Sequence, residues 1–298
     1  MNIKNTIFAN GKNRFFIFHF KEYNKMRKCL PIVLFFVLSV AAKAQTNDLY
    51  LEEPVFHSGE TAKFNIYFNW GFLWVHAGDI DFSVQTKKLN GETVYSLKVV
   101  GYTIKAFEKM YKIRDTFEVF VDTVNYYPVY YREVKHEDSY YANTQYFYQR
   151  QKDSTTVKAH FVRKKREWKD TFSISNNTFD LISTCYRVRN LDDKKLILNQ
   201  LVSFSMLFDR EVYNVGLTYK GKENVSVRNK GKYKAMKFVP KLVTGDLFKK
   251  EEDMTIYVSD DKSHVPLLIE AKIKVGYIKA VLADVKDTKY PMTSLISK

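Results

Sequence analysis

Five histidines lie beyond residue 44, His57, His76, His136, His160 and His264, and their spacing is the first place to look for chemistry. None forms an HxH or HExxH pair, the spacings that bring two imidazoles to one metal, so no zinc centre is expected. His136-Glu137-Asp138 strings three ligand types together, but a polar turn between strands explains the run better. There is no Gly-x-Ser-x-Gly elbow to raise a nucleophilic serine. There is also no glycine-rich loop to cradle a phosphate. Cys185 falls beside Ile182 and Tyr186 on an apolar stripe, where a buried structural thiol is expected; a reactive thiolate needs exposure and nearby positive charge. The residues therefore predict no catalytic group, no metal and no cofactor.

What remains are candidates for binding. In Phe179-Asp180, the carboxylate of Asp180 either meets a ligand at the mouth of a sheet or sits in a first helical turn, where the macrodipole and free N–H groups favour an acid; the second reading is the stronger. Ile182 follows one turn on. Trp70, Phe72, Leu73 and Trp74 form either an exposed apolar loop that grips lipid or a partner, or the hinge of a hairpin folded into the core. Trp70 reads as core, and Trp74 is open to both. Trp70, Trp74, Phe179, Asp180 and Ile182 are thus the candidate ligand-binding residues.

The elements that must position them are mostly strands. In Ala62 to Trp70, Phe64, Ile66, Phe68 and Trp70 face one way while Lys63, Asn65, Tyr67 and Asn69 face the other. Ile80, Phe82 and Val84 oppose Asp79, Asp81 and Ser83 in the same period of two, the mark of a half-buried strand. Asn90-Gly91 then reads as a hairpin turn, since both residues accept positive φ. Similar runs continue to Lys286, separated by turn-formers such as Asn125, Lys220-Gly221, Asn229-Lys230-Gly231 and Asp260-Asp261. One stretch breaks the rhythm. After Asn177-Thr178, which offer an N-cap, Phe179, Ile182, Cys185, Tyr186 and Arg189 recur at spacings of three and four, which predicts a helix over 178–189. The expected fold is all-β: a strongly curved antiparallel sheet forming a barrel, half-barrel or sandwich, with one principal short helix.

The chain has 298 residues, a net charge of +15 and 16% aromatic content, with 21 Tyr and 23 Phe. From Met26 the sequence runs Arg27-Lys28, an apolar stretch to Ala42, then Ala42-Lys43-Ala44. That is a removable signal peptide by pattern, too short to span a bilayer comfortably. It predicts an exported, periplasmic protein beginning at Gln45, with no transmembrane anchor left after processing. Residues 1–25 read as a start assigned too far upstream or as an extended basic leader. Residues 26–44 are the signal peptide, and 45–298 form a single β-rich domain, with a division into two sub-sheets near 178–199 as the variant. The leader carries eight of the 48 Lys and Arg and one of the 33 Asp and Glu, which leaves about +8 on the mature chain. The excess is scattered as single residues on strands, apart from Arg163-Lys164-Lys165-Arg166, and scatter of that kind is a solvated face. No nucleic acid is expected as partner. Cys185 alone remains after processing, so no internal disulfide is expected.

Several landmarks occur in a familiar order: Gly59-Glu60, Trp70 followed by Ala77-Gly78, and Tyr111-Lys112-Ile113-Arg114-Asp115 leading to Val121-Asp122 and Pro128. Phe179-Asp180 then opens a helix ending in Tyr186-Arg187-Val188-Arg189, and Tyr257-Val258-Ser259-Asp260-Asp261 precedes Val265-Pro266. Over most of residues 59 to 286 the chain resembles the exported bacterial family known as domain of unknown function 3108, found in Gram-negative bacteria including the Bacteroidota. At the late landmark the family shows Thr-x-Asp where this chain has Ser259-Asp260. The resemblance implies a secreted, mostly β protein with no assigned reaction. More loosely, the pattern is similar to the half-barrels of periplasmic lipoprotein carriers, a likeness of fold that does not fix function.

Three readings follow. The first is a non-catalytic carrier whose concave sheet encloses an apolar ligand such as a lipid, with the helix across its opening. The second is a structural or protein-interaction component of the cell envelope with a packed core. An enzyme ranks third. A continuous cavity between sheet and helix favours the first, and a filled interior the second.

Overall fold

The computed structural model describes residues 49–70, 73–241, 254–273 and 276–298, except for the side chain of Trp70. The expected leader (1–25), signal peptide (26–44) and cleavage after Ala44 lie outside the described residues, as does Phe72. The described residues all belong to one compact unit, Val37–Lys298.

The fold is all-β, as the alternation predicts. In chain order the strands are β1 (Thr61–Trp70), β2 (Leu73–Leu89), β3 (Glu92–Thr103), β4 (Arg114–Asp122), β5 (Pro128–Glu137), β6 (Tyr140–Arg150), β7 (Thr155–Arg163) and β8 (Arg166–Ile174). There follow β9 (Thr178–Asp180), β10 (Leu201–Phe208), β11 (Glu211–Val227), β12 (Gly231–Lys241), β13 (Met254–Ser259), β14 (Pro266–Lys272), β15 (Tyr277–Lys286) and β16 (Leu295–Ser297). A four-residue helix, α1 (Lys105–Glu108), follows β3, and the principal helix is α2 (Leu181–Arg189).

The strands make one sheet with the order β8-β7-β6-β5-β4-β3-β2-β1-β15-β14-β13-β12-β11-β10-β9, and β16 pairs with β12. Two antiparallel meanders are therefore zipped together where β1 meets β15, and only β9 and β10 run parallel. The sheet curls into a nearly closed barrel. Its two ends, β8 and β9, are consecutive in sequence, so residues 178–199 mark where one end of the sheet gives way to the other. Across that gap the β10–β11 turn reaches β7 and β8: Arg210 pairs with Asp170, and Arg163 with Asp209 at 3.6 Å.

Turn chemistry holds the register. Asn90 (φ +51°) and Gly91 (φ +89°) form the expected two-residue hairpin with both φ values positive. At Gly78 a Cβ would stand 2.5 Å from the carbonyl oxygen of Tyr102, so only glycine lets β2 and β3 approach there. Lys220-Gly221 does not separate two strands, as its composition predicts. It is a bulge inside the long β11, where the register slips between Tyr219 and Lys222 and Gly221 takes φ +88°.

The helix also begins later than its sequence suggests. Thr178–Asp180 is the short strand β9, and Asp180, not Asn177 or Thr178, is the N-cap. β9 keeps Thr178 extended because it pairs with Ser205 of β10. α2 packs against β3 and β4 and also against β9 and β10, which are far apart in the sheet order. A helix touching both sets lies on the inside of the curve. Its buried side holds Leu181, Ile182, Ser183, Thr184 and Tyr186, which leaves Cys185 exposed and corrects the expected buried thiol. Around it the concave face is packed with Phe117, Tyr131, Tyr146 and Phe161, all at most 3% exposed; Tyr131 and Tyr146 stack at 5.4 Å.

Candidate ligand-binding cleft

Asp122, the last residue of β4, builds one wall of a cleft. One carboxylate oxygen accepts from the N–H groups of Val124 and Asn125 at 2.9 and 2.6 Å, and the other accepts from Tyr127 N–H at 3.0 Å. A short acid that gathers three backbone donors makes a stiff turn. It holds Tyr126 at φ +59°, an uncommon conformation for a bulky aromatic residue. Strain of this sort persists where neighbours over-determine it, and it gathers at ligand clamps. Here Tyr126 stacks on Tyr95 at 6.3 Å and meets Phe56 edge-on at 5.8 Å. Burial pushes its phenol up to about 12, with Tyr95, Glu53 and Asp122 adding to the shift.

The opposite wall is the C-terminal half of α2 and the segment before β1. Leu51 N–H donates to the Asn190 carbonyl at 2.8 Å, and Val55 N–H to the Asn190 side-chain oxygen at 2.9 Å. Asn190 thereby ties the N-terminal segment to the end of the helix. Between the walls lies a cleft of about 180 Å³ lined by Tyr50, Phe56, Tyr126, Tyr127, Tyr186 and Arg187, with Glu52, Asn125, Ser183 and Asn190 among its polar neighbours.

A column of alternating cations and rings runs beside this cleft. The Arg150 guanidinium lies 3.6 Å from the centre of the Tyr127 ring, Tyr127 stacks on Phe179 at 5.5 Å and 21°, and Arg187 lies 4.5 Å from Phe179 and 4.0 Å from Tyr50. Each cation–ring contact contributes about 0.5–2 kcal/mol. The column joins β6, the β4–β5 turn, β9, α2 and the N-terminal segment. Burial raises the Tyr50 phenol, and the nearby Arg187 partly opposes the rise.

The residues singled out in the sequence are placed elsewhere. Phe179 (2% exposed) and Ile182 (0%) are core side chains, with Phe179 inside the column and neither lining the cleft. Asp180 accepts from Ile182 and Ser183 N–H at 2.9 and 3.0 Å and from Ser183 Oγ at 2.6 Å, so its carboxylate is spent on capping the helix. Burial pushes it up to about 6, against the pull of those hydrogen bonds. Trp74 is at the β1–β2 hairpin, about a third exposed, with Lys279 Nζ 4.7 Å from its ring centre. Trp70 ends β1; its side chain lies outside the described residues. What the sequence reading missed is the cleft itself. Its one local signal was Asp122 spaced to cap a turn carrying the aromatic pair Tyr126-Tyr127 before Pro128.

Two His–acid pairs sit outside the cleft. His76 contacts Asp79 at 2.7 Å, where Asn65 and Lys63 also converge, and His160 contacts Glu167 at 2.7 Å. Among the described residues no cluster of three His, Cys, Asp or Glu side chains is arranged to hold a metal. Inside the barrel, Asp115, Glu133 and Glu137 are buried around Lys135, which pairs with Glu133; Tyr111 donates to Glu137 at 2.9 Å.

Comparison with known proteins places this arrangement. The family described as "Protein of unknown function (DUF3108)" matches residues 63–283. No curated protein matches the sequence. Among solved structures, the fold is similar to the beta-barrel-like protein of domain of unknown function DUF1849 from Brucella abortus, with a TM-score of 0.51 at 9% identity. The match covers 79% of this chain and 99% of that one. At such low identity the likeness is one of fold alone.

Proposed function

The chain belongs to the DUF3108 family of proteins of unknown function, and we propose that it serves in the cell envelope as a non-catalytic binding protein, taking a small ring-bearing molecule into the cleft between the β4–β5 turn and α2. The observation that carries this reading is the cleft's construction. Rings form its walls, a few polar groups converge on it, and Tyr126 is held there in a strained conformation by Asp122. Binding sites commonly combine aromatic walls with placed polar groups, and here polar atoms make up the larger part of the lining. The cleft is smaller than the roughly 300–1,000 Å³ usual for larger ligands. A cavity of about 150 Å³ accepts a benzene ring, so one ring suits the site better than an acyl chain.

Export, read from residues 26–44, belongs to the same proposal. A second reading, a structural or interaction component of the envelope, draws support from the aromatic packing of the concave face.

Saturation-transfer NMR with a library of single-ring compounds tests the proposal. The expected result is saturable binding that is lost in Tyr126→Gly, a change that removes the ring yet suits the positive φ. No saturable binding by any single-ring compound would leave the structural reading standing instead.

A further inference from the structure

Arg187 is bracketed by two rings, with Tyr50 at 4.0 Å and Phe179 at 4.5 Å from its guanidinium carbon. A guanidinium covered in this way can reach a further partner only through its N–H edge. That edge is a planar fork of donors, which matches two oxygens of one acid group. Arg187 lines the cleft, and the partners it meets there are the Tyr50 and Phe179 rings and the Tyr50 hydroxyl, none of them an acid. Its neighbour in sequence shows the contrast: Arg189 has its donors spent on Glu60 and on the carbonyls of Ser263 and His264. The two arginines lie two residues apart at the end of one helix, one spent on the fold and one turned to the cleft.

A second feature limits the charge of the guest. Glu52 also lines the cleft and is exposed, so every negative charge on a guest meets its repulsion, and a guest carrying two meets about twice as much as a guest carrying one. The polar groups nearby, Asn125, Ser183 and Asn190, bring no further positive charge.

We infer that the cleft recognises a ring-bearing monocarboxylate, with the carboxylate on the N–H edge of Arg187 and the ring against Tyr126, Tyr127 and Tyr50. The inference rests on the binding reading above and names its ligand class. A charge-assisted, two-point contact separates a carboxylate from its neutral amide or alcohol by roughly tenfold or more. The bracketing rings hold the fork in place before the guest arrives, so little side-chain freedom is lost on binding.

Isothermal titration calorimetry on the mature chain, with benzoate, benzamide, D-glucuronate, D-glucose and inorganic phosphate, tests the inference. The expected result is that at least one of benzoate and glucuronate binds at least about tenfold more tightly than its neutral counterpart, and more tightly than phosphate. Arg187→Gln should abolish that preference. Because Arg187 also belongs to the column, Glu52→Gln gives a reading that does not depend on refolding that region. It should strengthen carboxylate binding severalfold relative to that of the neutral rings. Equal binding of charged and neutral rings, tighter binding of phosphate, or a carboxylate affinity indifferent to Glu52→Gln would overturn the ligand class and leave the cleft reading intact. If neither charged nor neutral rings bind, both fall together.

Discussion

Arg189 donates to both oxygens of Glu60, at 2.5 and 3.3 Å, across a sequence separation of 129 residues. Its remaining donors reach the carbonyls of Ser263 and His264, while His264 Nδ1 lies 2.7 Å from the Arg189 carbonyl. Beside them Asp261 and Ser259 interlock with Ser263, and Asp261 also holds Ser294 N–H at 2.9 Å. Three of the landmarks spread along the sequence, Gly59-Glu60, the end of the helix and Ser259-Asp260-Asp261, thus meet in one buried knot. Their role is to anchor α2 to the sheet.

Glu60→Gln should therefore destabilise the protein by about 3–5 kcal/mol, because it leaves the Arg189 charge buried without its partner. Replacing the pair together, as Glu60→Met with Arg189→Leu, should cost less than the sum of the single changes. Urea denaturation of Glu60→Gln, Glu60→Met, Arg189→Leu and the Glu60→Met/Arg189→Leu double variant measures this.

The contribution of Asp115 to stability should fall as pH rises between about 4 and 7. Asp115 is 2% exposed and is pushed from an ordinary 3.8 up to about 7, first by burial and then by Glu137, against the pull of the His136 N–H and Lys135. The folded protein therefore holds this proton more tightly than the unfolded chain does. The contribution is complete below the unfolded value and is lost as pH climbs through the folded one, with a ceiling of about 4 kcal/mol. Asp115→Asn keeps the acceptor for His136 N–H and should flatten this part of the pH profile. A profile identical to that of the parent would refute the assignment.

Despite its exposure, Cys185 should alkylate slowly. Protein packed near its sulfur and the nearby Asp180 carboxylate raise its thiol, so the thiolate fraction at pH 8 is lower than in the unfolded chain. Iodoacetamide labelling with and without urea, followed by mass spectrometry, reads the ratio. Equal rates would contradict it.

Intact-mass and N-terminal analysis of protein recovered from an exporting host should find Gln45 as the first residue. Exported material that still carries Met26 would contradict the Ala42-x-Ala44 reading.

Much of the fold was legible because a half-buried strand writes its own period. The strands β4 and β6 alternate buried and partly exposed positions as their sequences do, and Asn90-Gly91 announced its hairpin. Boundaries were less legible wherever a distant partner decided them. Thr178–Asp180 has helical spacing, yet β10 draws it into the sheet. Lys220-Gly221 has the composition of a turn, yet β12 carries the pairing past it. Cys185 shares helical spacing with Ile182, yet Leu181, Ser183 and Thr184 are the residues buried beside Ile182 and Tyr186. The cleft was hidden for a related reason. Tyr50, Tyr127 and Arg187 come from three separate stretches of chain, and nothing local says that their rings and guanidinium will stack.

The most direct test of the binding claim is a chemical-shift map of the isotope-labelled mature chain titrated with single-ring compounds. The account predicts saturable shifts that gather on Tyr50, Tyr126, Tyr127, Arg187 and Asn190 and leave Cys185 and Trp74 unmoved. Saturable shifts centred on Cys185 or Trp74, with the cleft residues unmoved, would contradict it.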